Sequence, residues 1–222
     1  MPLVPPPGWG ADSGSIANKT VRPAGATGVE AILPQFRAVQ IAPGGDRLYL
    51  LEQQAQPTGN PLHVWGVEHP SPSVPPRAHD LNWSLTLGDA AISLALRGDG
   101  TLLAVGDRTG SVTLIDTSTH RVVGTIQPLN RDSENPWLSM AFSPDGQALA
   151  IGSWEGTTSL WSVAQPRQPR LRFHLPGHRG PITSLAFDPL SRRLASAGTD
   201  PLVEVWDLEL LDRELIRLGL AD

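Results

Sequence analysis

Cysteine is absent from the 222-residue chain. That excludes a disulfide framework, a thiol nucleophile and any zinc site built on thiolates, so a metal would have to be held by His and carboxylates. Lysine occurs once, as Lys19, among 17 basic residues set against 22 acidic ones, for a formal net charge of -5. A polyanion needs a clustered basic face, so neither nucleic acid nor an anionic membrane surface is expected as a partner. No apolar run reaches the length that crosses a bilayer, and the Pro-rich start lacks the basic stretch and apolar core of a secretory segment. The expected compartment is the cytoplasm. What the chain has in quantity is punctuation, 22 Gly and 22 Pro, together with 7 Trp and 40% apolar residues. A chain of this size can bury about 70% of its unfolded surface.

Self-similarity organises those residues. Residues 93–107, 139–153 and 184–198 superimpose without gaps, each reading Ser, a short apolar run, a turn, then a second apolar run. A more divergent copy begins at Ala38. In the copy starting at Ser139, residues 143–146 (Ser-Pro-Asp-Gly) supply a turn, because Pro pre-sets the backbone at the second position and Gly tolerates positive φ. The apolar runs on either side, and further short runs at 158–161 and 170–175, read as four antiparallel strands per unit. Helical repeats would need a 3.6-residue period over ten or more residues, which these segments lack. One sheet of four short strands cannot bury both its faces, so successive units must stack to form a core.

The last copy carries Gly177 and His178 before its first strand, Asp200 after its second, and Trp206-Asp207 closing its third. In this it resembles the WD-repeat β-propeller family, bacterial WD-repeat proteins included. The resemblance implies an all-β fold: a WD40-like β-propeller or partial propeller of about four four-stranded blades over residues 28–207, with repeats near 36–67, 83–126, 137–175 and 178–207. It implies that His178, Ser196, Asp200 and Trp206 form one hydrogen-bonded structural network. The other copies depart from it, with Glu155 and Thr109 at the position of Asp200, Trp161 and Ile115 at that of Trp206, and Ser133 and Leu87 at that of His178. The resemblance also implies that an outer strand at 29–33 completes the last blade. A closed small ring, an open arc that self-associates to complete the propeller, and a portion of a longer propeller all fit the sequence.

Residues 1–27 read as a flexible Pro/Gly-rich arm, and the Pro-rich stretch 68–79 as a long loop. Residues 208–222 change period: Leu208, Leu211, Leu215 and Leu218 fall at helical spacing, Gly219 sits where a cap belongs, and Glu209 and Arg213 form an i, i+4 pair. This short amphipathic helix is expected to pack on the propeller, with partner binding as the alternative. It resembles the Leu-rich tail of some bacterial WD-repeat proteins, a few of them fused to protein kinases.

No nucleophile elbow, phosphate loop, His-Glu-x-x-His or dinucleotide fingerprint occurs. His63, His69 and His79 lack ligand spacing, so no metal and no cofactor are expected. The expectation is therefore a non-enzymatic scaffold for a protein or peptide. In a propeller the turns after the second strands and those entering the first strands share one rim, to which Trp154, Arg108, Glu155, Trp137, Arg131, Arg179 and Thr199 map. Trp and Arg bury large area with a polar handle, which suits them to anchor a partner. The alternative is a regulatory or sensor part of a larger enzyme, such as a kinase-linked WD-repeat protein.

Overall fold

Turn chemistry, repeated, sets the architecture. The computed structural model describes residues 35–53, 61–68, 77–86, 91–127 and 139–219. The arm expected at 1–27 and the outer strand expected at 29–33 lie outside them. The first sheet runs β1 (Gln35–Ile41), β2 (Arg47–Gln53), β3 (Pro61–Glu68), β4 (Arg77–Thr86), and the second β5 (Ala91–Leu96), β6 (Leu102–Asp107), β7 (Val112–Asp116), β8 (Arg121–Ile126). The third is β9 (Ser139–Phe142), β10 (Ala148–Gly152), β11 (Thr157–Ser162), β12 (Arg170–Pro176), and the last has β13 (Ile182–Phe187), β14 (Arg193–Gly198) and β15 (Val203–Asp207). Within each sheet the strands pair antiparallel in chain order.

The first turn of each unit has one construction. In the third sheet Ser143 N–H donates to Ala148 O (2.9 Å) and Gly146 N–H to Ser143 O (2.8 Å), with Gly146 at φ +70°. Gly45 and Gly100 hold the same place at φ +71° and +75°, a region where a side chain would be strained. The fourth sheet puts Ser191 there, at φ +59°. Irregularities recur too: a register shift falls at Val64/Trp65, Leu114/Ile115 and Leu160/Trp161, at the same point in three sheets.

Alternation along the second strands then builds the cores. In β6, Leu103 and Val105 join Tyr49, Leu51, Leu94 and Ile115 between the first and second sheets. Leu102 and Ala104 point the other way, joining Val112, Leu114, Leu149 and Ile151 between the second and third. In β10 the complementary pair Ala148 and Ala150 joins Leu160, Phe173, Leu175 and Leu194 between the third and fourth. A strand buried on both faces reads as a continuous apolar run, which is why Leu-Leu-Ala-Val and Ala-Leu-Ala-Ile occur here. The first strands line up along the inside, β5 packing on β1, β9 on β5 and β13 on β9. The four sheets make a partial propeller.

Two expectations are corrected. The stretch 68–79 is not wholly loop, because Glu68 ends β3 and residues 77–79 open β4; the period-2 apolar positions Leu81, Trp83 and Leu85 carried that strand signal. The C-terminal helix α1 is Leu208–Arg217, with Asp207 as N-cap accepting from Leu210 N–H at 2.9 Å and Gly219 at φ +69° beyond its end. Leu208, Leu211 and Leu215 pack into the last core, while Leu218 is 65% exposed. Glu209 does not use its carboxylate on Arg213: it meets Arg192 Nε at 2.9 Å across the junction with the sheet, and Arg213 Nε bonds the Glu209 carbonyl instead. Arg172 and Asp212 add a second ion pair between β12 and the helix.

Candidate functional site

The turns after β6, β10 and β14 lie at one end of the sheets and are braced by side chains within them. Asp107 Oδ1 accepts from Thr109 N–H (2.8 Å), Thr109 Oγ1 (2.7 Å) and Ser111 N–H (3.1 Å). Ser153 takes that place one sheet on, its hydroxyl accepting from Glu155 N–H (3.2 Å) and Thr157 N–H (3.3 Å) and sharing a bond with Thr157 Oγ1 (2.9 Å). Gly110 and Gly156 close both turns at φ +82°. A short polar side chain that caps its own turn lets the two residues after it point into solvent. These are Arg108 and Thr109 in one turn and Trp154 and Glu155 in the next, all exposed.

The segment between β12 and β13 docks onto the second of these turns. His178 N–H donates to Gly156 O (3.1 Å) and Ile182 N–H to Ser153 O (3.0 Å), while Thr199 N–H reaches Pro181 O (3.0 Å). A Cβ on Gly156 would run into the His178 carbonyl, so only glycine lets the two backbones approach. Trp154, Glu155, Arg179 and Thr199 therefore share one patch of exposed side chains, and Arg108 holds the equivalent turn one sheet earlier. Arg131 and Trp137 lie outside the described residues. Ser153, Asp107 and Gly156, which hold the patch, are the residues that sequence reasoning passed over; the signal was the recurring turn ending in Gly at 110 and 156.

Under this patch sits a buried trio. His178 Nδ1 is 2.7 Å from Asp200 Oδ1, and Nε2 is 3.0 Å from Ser196 Oγ. A carboxylate only accepts, so Nδ1 carries the proton, and in the neutral ring Nε2 accepts from the serine hydroxyl. Asp200 is held below the usual carboxylate range by the Arg179 N–H first (2.9 Å) and the imidazole second. Trp206 does not join them. Among the described residues its buried Nε1 has no hydrogen-bond partner; two residues back on its strand stands Glu204, where the third sheet has Ser159. Trp161, its counterpart, donates to Ser159 Oγ at 3.0 Å, a hydroxyl two residues back on the same strand face.

The trio has the members of a hydrolytic triad but not the access. The His178 side chain is 0% exposed and Ser196 2%, so no substrate carbonyl can reach the hydroxyl. Among the described residues no group of three His, Cys, Asp or Glu could hold a metal, and no helix is long and apolar enough to cross a membrane. The side chains of His63, His69 and His79 lie outside the description.

Residues 130–162 and 169–207 match the family described as WD domain, G-beta repeat. The WD repeat-containing protein VIP3 of Arabidopsis thaliana is 36% identical over 109 residues, covering 45% of this chain and 33% of that protein. Echinoderm microtubule-associated protein-like 2 of Mus musculus is 30% identical over 147 residues, covering 66% of this chain and 21% of that protein. U3 small nucleolar RNA-associated protein 7 of Saccharomyces cerevisiae is 32% identical over 107 residues, 48% of this chain and 18% of that protein. The chain thus spans about a third or less of the length of these relatives. The repeat matches and the relatives support placement in the WD40-repeat family, and because these relatives are eukaryotic the resemblance to bacterial members gains no support from them.

Proposed function

We propose that this protein is a non-catalytic scaffold that docks a protein or peptide on the rim formed by the turns after β6, β10 and β14. Trp154 is the anchor, with Glu155, Arg179 and Thr199 beside it and Arg108 on the equivalent turn one sheet earlier; Arg131 and Trp137, outside the described residues, are assigned to the same rim from the repeat pattern alone. The observation that carries this reading is Trp154, 40% exposed at the tip of a turn whose backbone is bonded on both sides to the 178–182 segment. A large aromatic presented on a rigid base loses little entropy when it is covered, which is what makes tryptophan effective at interfaces. WD40-repeat proteins generally act as protein-interaction scaffolds, which accords with it.

The relatives' names supply concrete probes. Full-length protein is tested for co-sedimentation with microtubules and for binding a labelled RNA, alongside capture of proteins from extract, each with wild type, Trp154→Ala and Arg108→Ala. Capture of a protein that Trp154→Ala weakens by about thirtyfold, the effect of losing an interface anchor, supports the rim. Unchanged capture by both variants removes it, and binding of RNA alone replaces the protein partner by a nucleic acid.

A second reading, that these sheets are the sensing part of a larger protein such as a kinase-linked one, is favoured by one observation: the relatives are three or more times longer than the matched region. A catalytic reading frame joined to this one would carry it.

A further inference from the structure

Aligned residue by residue, the repeats leave apolar side chains exposed at each end of the arc, on the back of the fourth sheet and along β1 on the front of the first, where Leu50, cross-strand from Val39, is itself 7% exposed. Every internal junction sets the back face of one sheet on the front face of the next. On the third strands the back-face positions are Val112 and Leu114 in the second sheet and Thr158 and Leu160 in the third, all at most 1% exposed. The same positions in the fourth sheet are Val203 and Val205, 69% and 62% exposed. Ala195, cross-strand from Val205, and Ala197, cross-strand from Val203, extend that face. On the first strands the front-face positions are Leu94 and Leu96, Met140 and Phe142, Leu185 and Phe187, each packed into the core behind it. In the first sheet they are Val39 and Ile41, 57% and 58% exposed.

The exposed residues are therefore the two complementary halves of a junction that the chain already makes three times. Contiguous apolar faces of this kind on a soluble surface mark interaction sites. The described sheets do not close on themselves, since their substantial packing runs only between successive sheets. We infer that a second copy of this chain supplies both missing neighbours: the back face of each copy's fourth sheet seats on the front face of the other's first sheet. Two such contacts related by a two-fold axis close the assembly. The result is a ring of eight sheets, within the size range of closed propellers. This holds whichever partner the rim takes.

Light scattering on the full chain tests it. The wild type is expected at twice its 23.7 kDa at tens of micromolar, a concentration about that of ordinary protein association. Val39→Glu and Val205→Glu, each alone, are expected as monomers with unchanged melting temperature, because each charge replaces an exposed side chain in the monomer. Mixed together they are expected to form a dimer again, since one of the two junctions then joins two unaltered faces. Ile41→Glu and Val203→Glu repeat the design if either first variant fails to fold. A monomeric wild type, as would follow if residues 1–34 covered one of the faces within the same chain, overturns the inference. So does a dimer that neither variant breaks, or a mixture that stays monomeric.

Discussion

The third and fourth sheets carry the same repeat 45 residues apart, yet they are held together differently. The third is walled by neighbours on both sides, and β10 is buried at every position. It contains a satisfied indole, Trp161 on Ser159, and stands on apolar contact. The fourth has one neighbour among the described sheets. It compensates with the His178–Ser196–Asp200 trio, with the Arg192–Glu209 ion pair to α1, and with a helix whose Leu208 seals the last core. Its Trp206 Nε1 is a buried donor without a partner among the described residues. The same sequence position thus contributes packing or polar bonding according to what lies beside the sheet.

Four experiments sharpen or break that comparison. Leu160→Ala, at a side chain 0% exposed between the third and fourth sheets, is expected to cost about 2–5 kcal/mol in denaturant unfolding, while Val205→Ala at the equivalent open position changes stability in the monomer by about 0.5 kcal/mol or less. Equal costs would mean that the fourth sheet's back face is covered within the chain. Next, His178→Phe strands the Ser196 hydroxyl and removes one of the hydrogen bonds to the Asp200 carboxylate, so a loss of about 1–3 kcal/mol is expected. Hydrogen exchange should quicken in β13–β15 and leave β5–β8 unchanged; a uniform increase would show that the trio is not local to its sheet.

A smaller effect separates the two tryptophans. Trp161→Phe removes a made hydrogen bond and leaves Ser159 short of a partner, at about 1 kcal/mol, whereas Trp206→Phe removes a donor that has none and should cost less. The reverse order in thermal melts would place a partner on Trp206. The smallest effect depends on pH. The folded-state pKa of Asp200 lies below its ordinary 3.8, so the stability it contributes is fully present above that value and fades as pH falls through the folded pKa. The melting difference between wild type and Asp200→Ala is therefore expected to be constant near neutrality and to shrink below pH 3.8. A difference that grew in acid would mean the carboxylate is not held in its ionised form.

Much of this was legible from residues that act on their immediate neighbours. The turn at 143–146 works through Pro and Gly backbone preference, so its copies could be aligned and the strands on either side located. Asp207 could be placed at the strand-to-helix boundary, though its role as N-cap needed the geometry. The strand β4 was hidden because the Pro-rich stretch before it masked the alternation of Leu81, Trp83 and Leu85. The pairing of Glu209 was misread because helix spacing puts Arg213 in reach, while Arg192 arrives from the turn between β13 and β14.

By itself the sequence determined the repeat, the strand order within each sheet and the absence of a thiol-based site, because turn chemistry and period-2 alternation are local and need no knowledge of neighbours. Tertiary structure alone decided which equivalent residues are buried, that Trp206 stays outside the His178 trio, and which backbone carbonyls brace the Trp154 turn. Those outcomes depend on what packs beside each sheet and on cross-strand register, and two identical stretches of chain meet different surroundings at the middle and at the end of an arc.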